Sequence, residues 1–192
     1  MARHKSFDRD IALNAAIGVF AQHGYEGAST EALLCAMGIS RQSLYDTFGD
    51  KRRLYLEALQ VYNAQSVFDF VRALDSGATP LKGLRAALLE FVCRASPDST
   101  PACLGVSAIC EFGRSDQEVN LVTDAIGRTL RLALERRLAD AKAAGEIGAD
   151  VDVPTAVQFI GATLAGLKIS ARGGAAPQVL GDIARMALRS LT

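Results

Sequence analysis

The sequence predicts an all-α protein of about nine helices. Apolar residues recur three or four apart through nearly all of the 192 residues, which is the spacing of a single helix face. No segment alternates apolar and polar side chains as a half-buried strand does. Glycine stops followed closely by Ser, Thr or Asp starts divide the chain at short intervals.

Composition narrows the function classes. Lys+Arg and Asp+Glu both number 21, so the net charge is zero and any basic surface must be local. A hydrophobic fraction of 49% supports a core, and 22% charged residues exclude bulk disorder. No apolar run approaches the roughly 18 residues of a membrane span. Met1 to Asp10 is polar and lacks a signal-peptide core, so the expected compartment is the cytoplasm. The four cysteines, Cys35, Cys93, Cys103 and Cys110, are too few for a disulfide framework and read as reduced thiols. His4 and His23 lie far from any paired cysteines, so neither a metal nor another cofactor is expected. Paired His and carboxylates, a nucleophile elbow and a phosphate loop are all missing, which argues against an enzyme.

In chain order, Arg3, His4 and Lys5 form either a featureless start or a basic arm that touches phosphate or a minor groove. Leu13, Ala16, Ile17 and Phe20 make the stripe of a first helix running from Asp8 to a stop at Gly24. Ser29 or Thr30 starts a second helix with Leu33, Leu34 and Met37 inward. Gly38 stops it, and Ser40 caps a third. Leu44 and Phe48 share the inner face of that third helix, leaving Arg41, Gln42, Ser43, Tyr45 and Thr47 on its other sides. Gly49 ends it and Asp50 caps a fourth. Leu54, Ala58, Val61, Gln65 and Phe68 extend the fourth helix from Lys51 to about Leu74. Residues 75–80 are the clearest break. Leu81 to Cys93 is helical in pattern. Thr100 as N-cap with Pro101 at the first helical position starts a helix to about Gly113. A charge-laced helix spans Gln117 to Ala144, another runs from Asp152 to about Ala171, and the last from Pro177 to Leu191.

The second and third helices, joined by the tight Gly38 turn, are a helix-turn-helix. In that motif the second helix lies in the major groove and its N-terminal residues meet base edges. Arg41 can reach guanine and Gln42 adenine. Ser40, Ser43, Tyr45 and Thr47 are hydroxyl donors suited to phosphate oxygens. Lys51, Arg52 and Arg53 crowd the first turn of the fourth helix, where cations oppose the dipole unless a phosphate sits there or they are simply solvated beside Asp50. Residues 1–53 carry seven Lys and Arg (3, 5, 9, 41, 51, 52, 53) against six acids (8, 10, 26, 31, 46, 50). Affinity must therefore come from arrangement, and a dimer is nearly required for specificity.

Ala16 and Phe20, Gly24-Tyr25, Gly38-Ile39-Ser40, Leu44-Tyr45, Phe48 and Lys51 together give residues 8–60 a specific resemblance to the DNA-binding domain of TetR-family transcriptional regulators. Departures stand at Ala28, Leu34, Asp46 and Thr47. The resemblance implies a homodimer. Each subunit would have a helix-turn-helix DNA-binding domain at 1–50, a connecting helix at 51–74, and a ligand-sensing and dimerisation domain at 75–192. It implies phosphate contacts from Tyr45 and Lys51 and groove entry by residues 40–47. Ser29 and Thr30 complete the candidate DNA contacts. The implied function is a repressor that binds a pseudo-palindromic operator in double-stranded DNA and is released by a small-molecule effector. By pattern, Phe91, Cys103, Ile109, Phe112, Leu121, Ile126, Phe159 and Leu167 are the candidate effector-pocket residues.

Small residues Gly161, Ala162, Ala165 and Gly166, and the apolar Val179, Ile183, Met186 and Ala187, make the last two helices the expected dimer interface, unless both faces close the subunit's own core. With Thr100 as cap, Cys103 falls at the third helical position, where the helix dipole favours a thiolate. That opens an alternative, a thiol-redox-switched or effector-independent regulator acting through Cys103. The bland reading of Cys103 is a buried small hydrophobe.

Overall fold

The computed structural model describes residues 7–95 and 103–192, and among these it contains α-helices and no strand. The helices are α1 Arg9–Gly27, α2 Thr30–Met37, α3 Arg41–Phe48, α4 Lys51–Asp75, α5 Pro80–Ala95, α6 Leu104–Phe112, α7 Gln117–Ala143, α8 Val153–Arg172 and α9 Pro177–Arg189. The expected all-α class and order of elements hold. The basic arm at Arg3–Lys5 and the Thr100 cap lie outside the described residues.

Local chemistry accounts for most helix starts. Asp8 accepts hydrogen bonds from the backbone N–H groups of Asp10 and Ile11, and Ser29 accepts one from Ala32. Ser40 accepts from Ser43, Asp50 from Arg53, and Asp152 from Thr155. Each satisfies a donor that a helix N-terminus would otherwise leave orphaned. Pro154 and Pro177 stand in the first turns of α8 and α9, where a missing N–H loses nothing.

The chain divides into two compact units. The first joins Met1–Ala64 to Ala102–Thr123, so α6 and the start of α7 pack with the three N-terminal helices. Its core contains Leu13, Ala16, Phe20, Leu33, Leu44, Phe48, Leu54 and Tyr55, closed by Leu104, Ala108 and Val119. Phe20, Tyr25, Tyr55 and Phe112 cluster with ring centroids 5.0–5.9 Å apart. The second unit joins Gln65–Pro101 to Asp124–Thr192. Its core is built from α5, α8 and α9 with the nearer parts of α4 and α7, including Phe70, Leu84, Leu88, Leu134, Ile160, Leu167, Leu180 and Ala184.

Two expectations are corrected. Helix α6 starts at Leu104, so Cys103 is its N-cap and not its third residue, with Sγ accepting from the Val106 N–H at 3.5 Å. The inner stripe of α4 is also different. Leu54, Tyr55, Ala58 and Leu59 are buried in the first unit, and Phe70, Ala73 and Leu74 in the second, whereas Val61, Gln65 and Phe68 are exposed. A single stripe assumes one core, but α4 serves two.

Candidate nucleic-acid interface

The α2–turn–α3 unit is held by its glycines and serines. Gly38 adopts φ 64°, ψ 32°, a left-handed conformation that disfavours any side chain with a Cβ. Its N–H reaches the Cys35 carbonyl, and the N–H of Ile39 reaches Leu34, which closes α2. Leu44 and Phe48 are buried, as their spacing requires. The remaining surface of α3 presents Arg41, Gln42, Tyr45 and Asp46 to solvent, with Ser43 and Thr47 half-buried at its edges.

Several polar groups on this surface are already partnered within the chain. Arg41 forms a salt bridge with Glu31 of α2 at 2.6 Å. The Gln42 amide donates to Asp46 Oδ1 at 2.8 Å. Ser40 and Ser43 share a hydroxyl hydrogen bond of 2.9 Å. The Arg41–Glu31 pair is well exposed, so it contributes about 0–1 kcal/mol and yields readily to a phosphate or a base.

The three cations at the start of α4 separate in role. Lys51 stands with Nζ 4.5 Å above the Tyr25 ring, and no salt bridge to Lys51 or Arg53 occurs among the described residues. Arg52 instead turns to α7. Its guanidinium lies 2.6 Å from Asp116 and 3.2 Å from Glu118, and packs over the Tyr25 and Phe112 rings. Arg52 therefore ties the start of α4 to the start of α7, which sets it apart from Lys51 and Arg53. Arg9 is likewise occupied, paired with Glu57 at 2.7 Å and stacked on Phe48 at 4.9 Å.

A carboxylate from α6 supports this surface from behind. Glu111 accepts from the N–H of Tyr25 at 2.8 Å and of Glu26 at 2.7 Å. These two donors follow Gly24, whose φ of 73° breaks α1 and starts a new turn. Asp116 both caps α7, accepting from Val119, and holds Arg52. The Val119 N–H, and then the Arg52 charge working against partial burial, hold the Asp116 carboxyl below its ordinary range. Sequence reading missed Glu111 and the Asp116–Arg52 tie, because Tyr25, Glu26 and Arg52 lie 64 or more residues from these carboxylates and leave no local pattern.

The residues proposed for an effector pocket fall in both units. Cys103 and Phe112 are buried or half-buried in the first unit, and Ile109 and Leu121 are exposed there. In the second, Leu167 is fully buried, Phe91 packs partly buried against the same core with its ring edge-on to Phe70, Ile126 is half-buried and Phe159 is exposed. Of the DNA-contact candidates, Ser40, Arg41, Gln42, Ser43, Tyr45 and Thr47 lie on α3 or its cap, Ser29 and Thr30 at the start of α2, and Lys51 at the start of α4.

Comparison with known proteins gives consistent matches. The profile of bacterial regulatory proteins of the tetR family matches residues 12–58, and that of the tetracyclin repressor-like C-terminal domain matches residues 80–187. The HTH-type transcriptional regulator YezE of Bacillus subtilis (strain 168) is 33% identical over 162 residues, 83% of this chain and 84% of its own. The HTH-type transcriptional repressor ComR of Escherichia coli (strain K12) is 29% identical over 192 residues, 97% of this chain and 90% of its own. Among solved structures, a cysteine mutant of the TetR family regulator CifR, complexed with 26-bp operator DNA, superposes with a TM-score of 0.81 at 33% identity over 100% of both chains.

Proposed function

The chain belongs to the TetR family of bacterial regulatory proteins and is a DNA-binding transcriptional regulator, not an enzyme; on that premise we propose that it is a repressor that binds a pseudo-palindromic operator as a dimer. Residues 1–50 supply the reading domain, 51–74 the connecting helix, and 75–192 the sensing and dimerising part, of which 102–123 fold with the reading unit. The observation that carries the reading is α3 itself. It is a two-turn helix fixed at both ends by Ser40 and Gly49, with only Leu44 and Phe48 buried and Arg41, Gln42 and Tyr45 turned outward. Arg41 and Gln42 meet base edges. Ser29, Thr30, Ser40, Ser43, Tyr45, Thr47 and Lys51 hold phosphates.

The dimer forms through α8 and α9. Phe159, Ala162, Gly166 and Ile169 lie exposed along one face of α8, and Val179 and Met186 along one face of α9. Contact through α8 and α9 would cover this apolar surface in a four-helix arrangement. A small-molecule effector releases the operator by favouring a different separation of the two reading domains, since each must meet the groove about 34 Å apart. The alternative of a thiol switch at Cys103 is less favoured, because Cys103 is buried and occupied as the α6 cap. If Cys103→Ser resists release by an oxidant dose that frees the wild type from DNA, that alternative replaces the effector reading.

The test is binding to the region upstream of the protein's own gene across a salt series, followed by fluorescence anisotropy. Affinity is expected to fall linearly in log–log form with salt, and Arg41→Ala/Lys51→Ala to weaken it by about tenfold or more. A double variant that binds as tightly as wild type would sink the site assignment.

A further inference from the structure

Two of the acids beside the reading helix have identifiable structural roles. Glu31 neutralises Arg41, and Asp50 caps α4. Asp46 caps no helix, and no salt bridge to it occurs among the described residues. Its carboxylate meets the Gln42 amide one turn earlier. It also lies in the last turn of α3, where the negative end of the helix dipole disfavours an acid. The Gln42–Asp46 pair stabilises α3 by only about 0.2–0.5 kcal/mol, which the unfavourable dipole position offsets, so local stability gives little net reason for an aspartate here, and a phosphate-walled groove repels one. A carboxylate gains a direct contact to a base edge in the groove from an amino group. The major groove offers two, cytosine N4 and adenine N6.

We propose that Asp46 is a specificity-determining residue that accepts a hydrogen bond from a base amino group, cytosine above all, at a position beside the one read by Gln42. This rests on α3 being the groove-reading helix. The Gln42–Asp46 hydrogen bond uses one amide hydrogen and one carboxylate oxygen. It leaves Gln42 Oε1 and the second amide hydrogen free for adenine, and Asp46 Oδ2 free for its own base. Asp46 also discriminates by repulsion. At a guanine or thymine its carboxylate faces O6 or O4, with no donor to meet it, so the wrong base is rejected as well as the right one accepted.

The experiment is selection of bound sequences from random duplex DNA by the full chain, with wild type, Asp46→Ala, Asp46→Asn and Gln42→Ala in parallel. Because Asp46 is exposed, all forms should share one thermal midpoint, checked by circular dichroism. Wild type should enrich cytosine at one position per half-site. Asp46→Ala should lose that preference by about fivefold or more while keeping the others. Asp46→Asn should move it to adenine, which an amide can hold bidentately. Gln42→Ala should flatten a neighbouring position. The inference is overturned if the Asp46→Ala profile superimposes on wild type, if Asp46→Asn retains cytosine, or if Asp46→Ala and Gln42→Ala flatten the same position, since Asp46 would then only orient Gln42. A wild type that enriches no sequence overturns the repressor reading itself, and this inference with it.

Discussion

Lys51 and Arg52 are neighbours in the chain, yet their charged ends have different work. Lys51 stands over the Tyr25 ring, and Arg52 is held by Asp116 and Glu118. Asp116→Ala should therefore lose a helix cap and leave Arg52 half-paired, lowering stability by about 1–3 kcal/mol in urea unfolding. The pH dependence follows from the same contacts. Because the folded Asp116 carboxyl is held below its unfolded value, its contribution is fully present above the ordinary carboxylate range and is lost as pH falls through the lowered value, below about 4. Asp116→Asn should flatten that part of the acid-unfolding curve. Tyr55 presents the opposite case. Its hydroxyl is buried with no hydrogen-bond partner, and burial pushes its pKa well above the usual phenol value. Tyr55→Phe removes an unsatisfied group, so its unfolding midpoint should match or exceed that of wild type. Neither residue announced its role in the sequence.

At the level of helices, what could be read depended on how far each contact reaches. Caps made within three residues, by Ser29, Ser40, Asp50 and Asp152, leave a pattern that sequence shows, and the helix starts follow them. The Gly38 turn belongs here. Gly38→Ala should cost about 1–2 kcal/mol from the left-handed backbone alone, since its Cβ would meet no neighbour within 4 Å, and urea unfolding measures it. Helix ends closed from a distance were illegible. Glu146 accepts from the Leu81 N–H at the start of α5, and Glu111 from the turn after Gly24. Arg137 of α7 donates to the Leu74 carbonyl at the end of α4. The start of α6 was misplaced because Thr100-Pro101 matches a helix-start pattern, while the capping atom is a cysteine sulfur. The exposed side of α3 was legible for the same reason as its buried side, since two apolar residues four apart leave only one outward surface.

For the molecule as a whole, the proposed dimer interface and the reading surface lie on different helices, so a change in one can be separated from the other. Phe159→Glu/Met186→Glu should leave the helix content unchanged, produce a monomer by light scattering, and weaken operator binding far more than a change in α8 or α9 would through stability alone. The all-α class was legible because periodicity is a property of every segment. The grouping of Ala102–Thr123 with the N-terminal helices was not, because it depends on Leu104, Ala108, Val119 and Glu111 finding partners far away in the chain. That grouping bears on how the protein is made. A ribosome releases the chain in order, at about 5–20 residues per second. When residue 64 has emerged, the DNA-reading helices are present but their core lacks Leu104, Ala108 and Val119. Closure waits for residue 123, which is a delay on the order of seconds. During that interval the α3 surface is already exposed, but the turn after Gly24 has no Glu111 beneath it. The core of the nascent reading domain is therefore completed only once residues 102–123 have been translated.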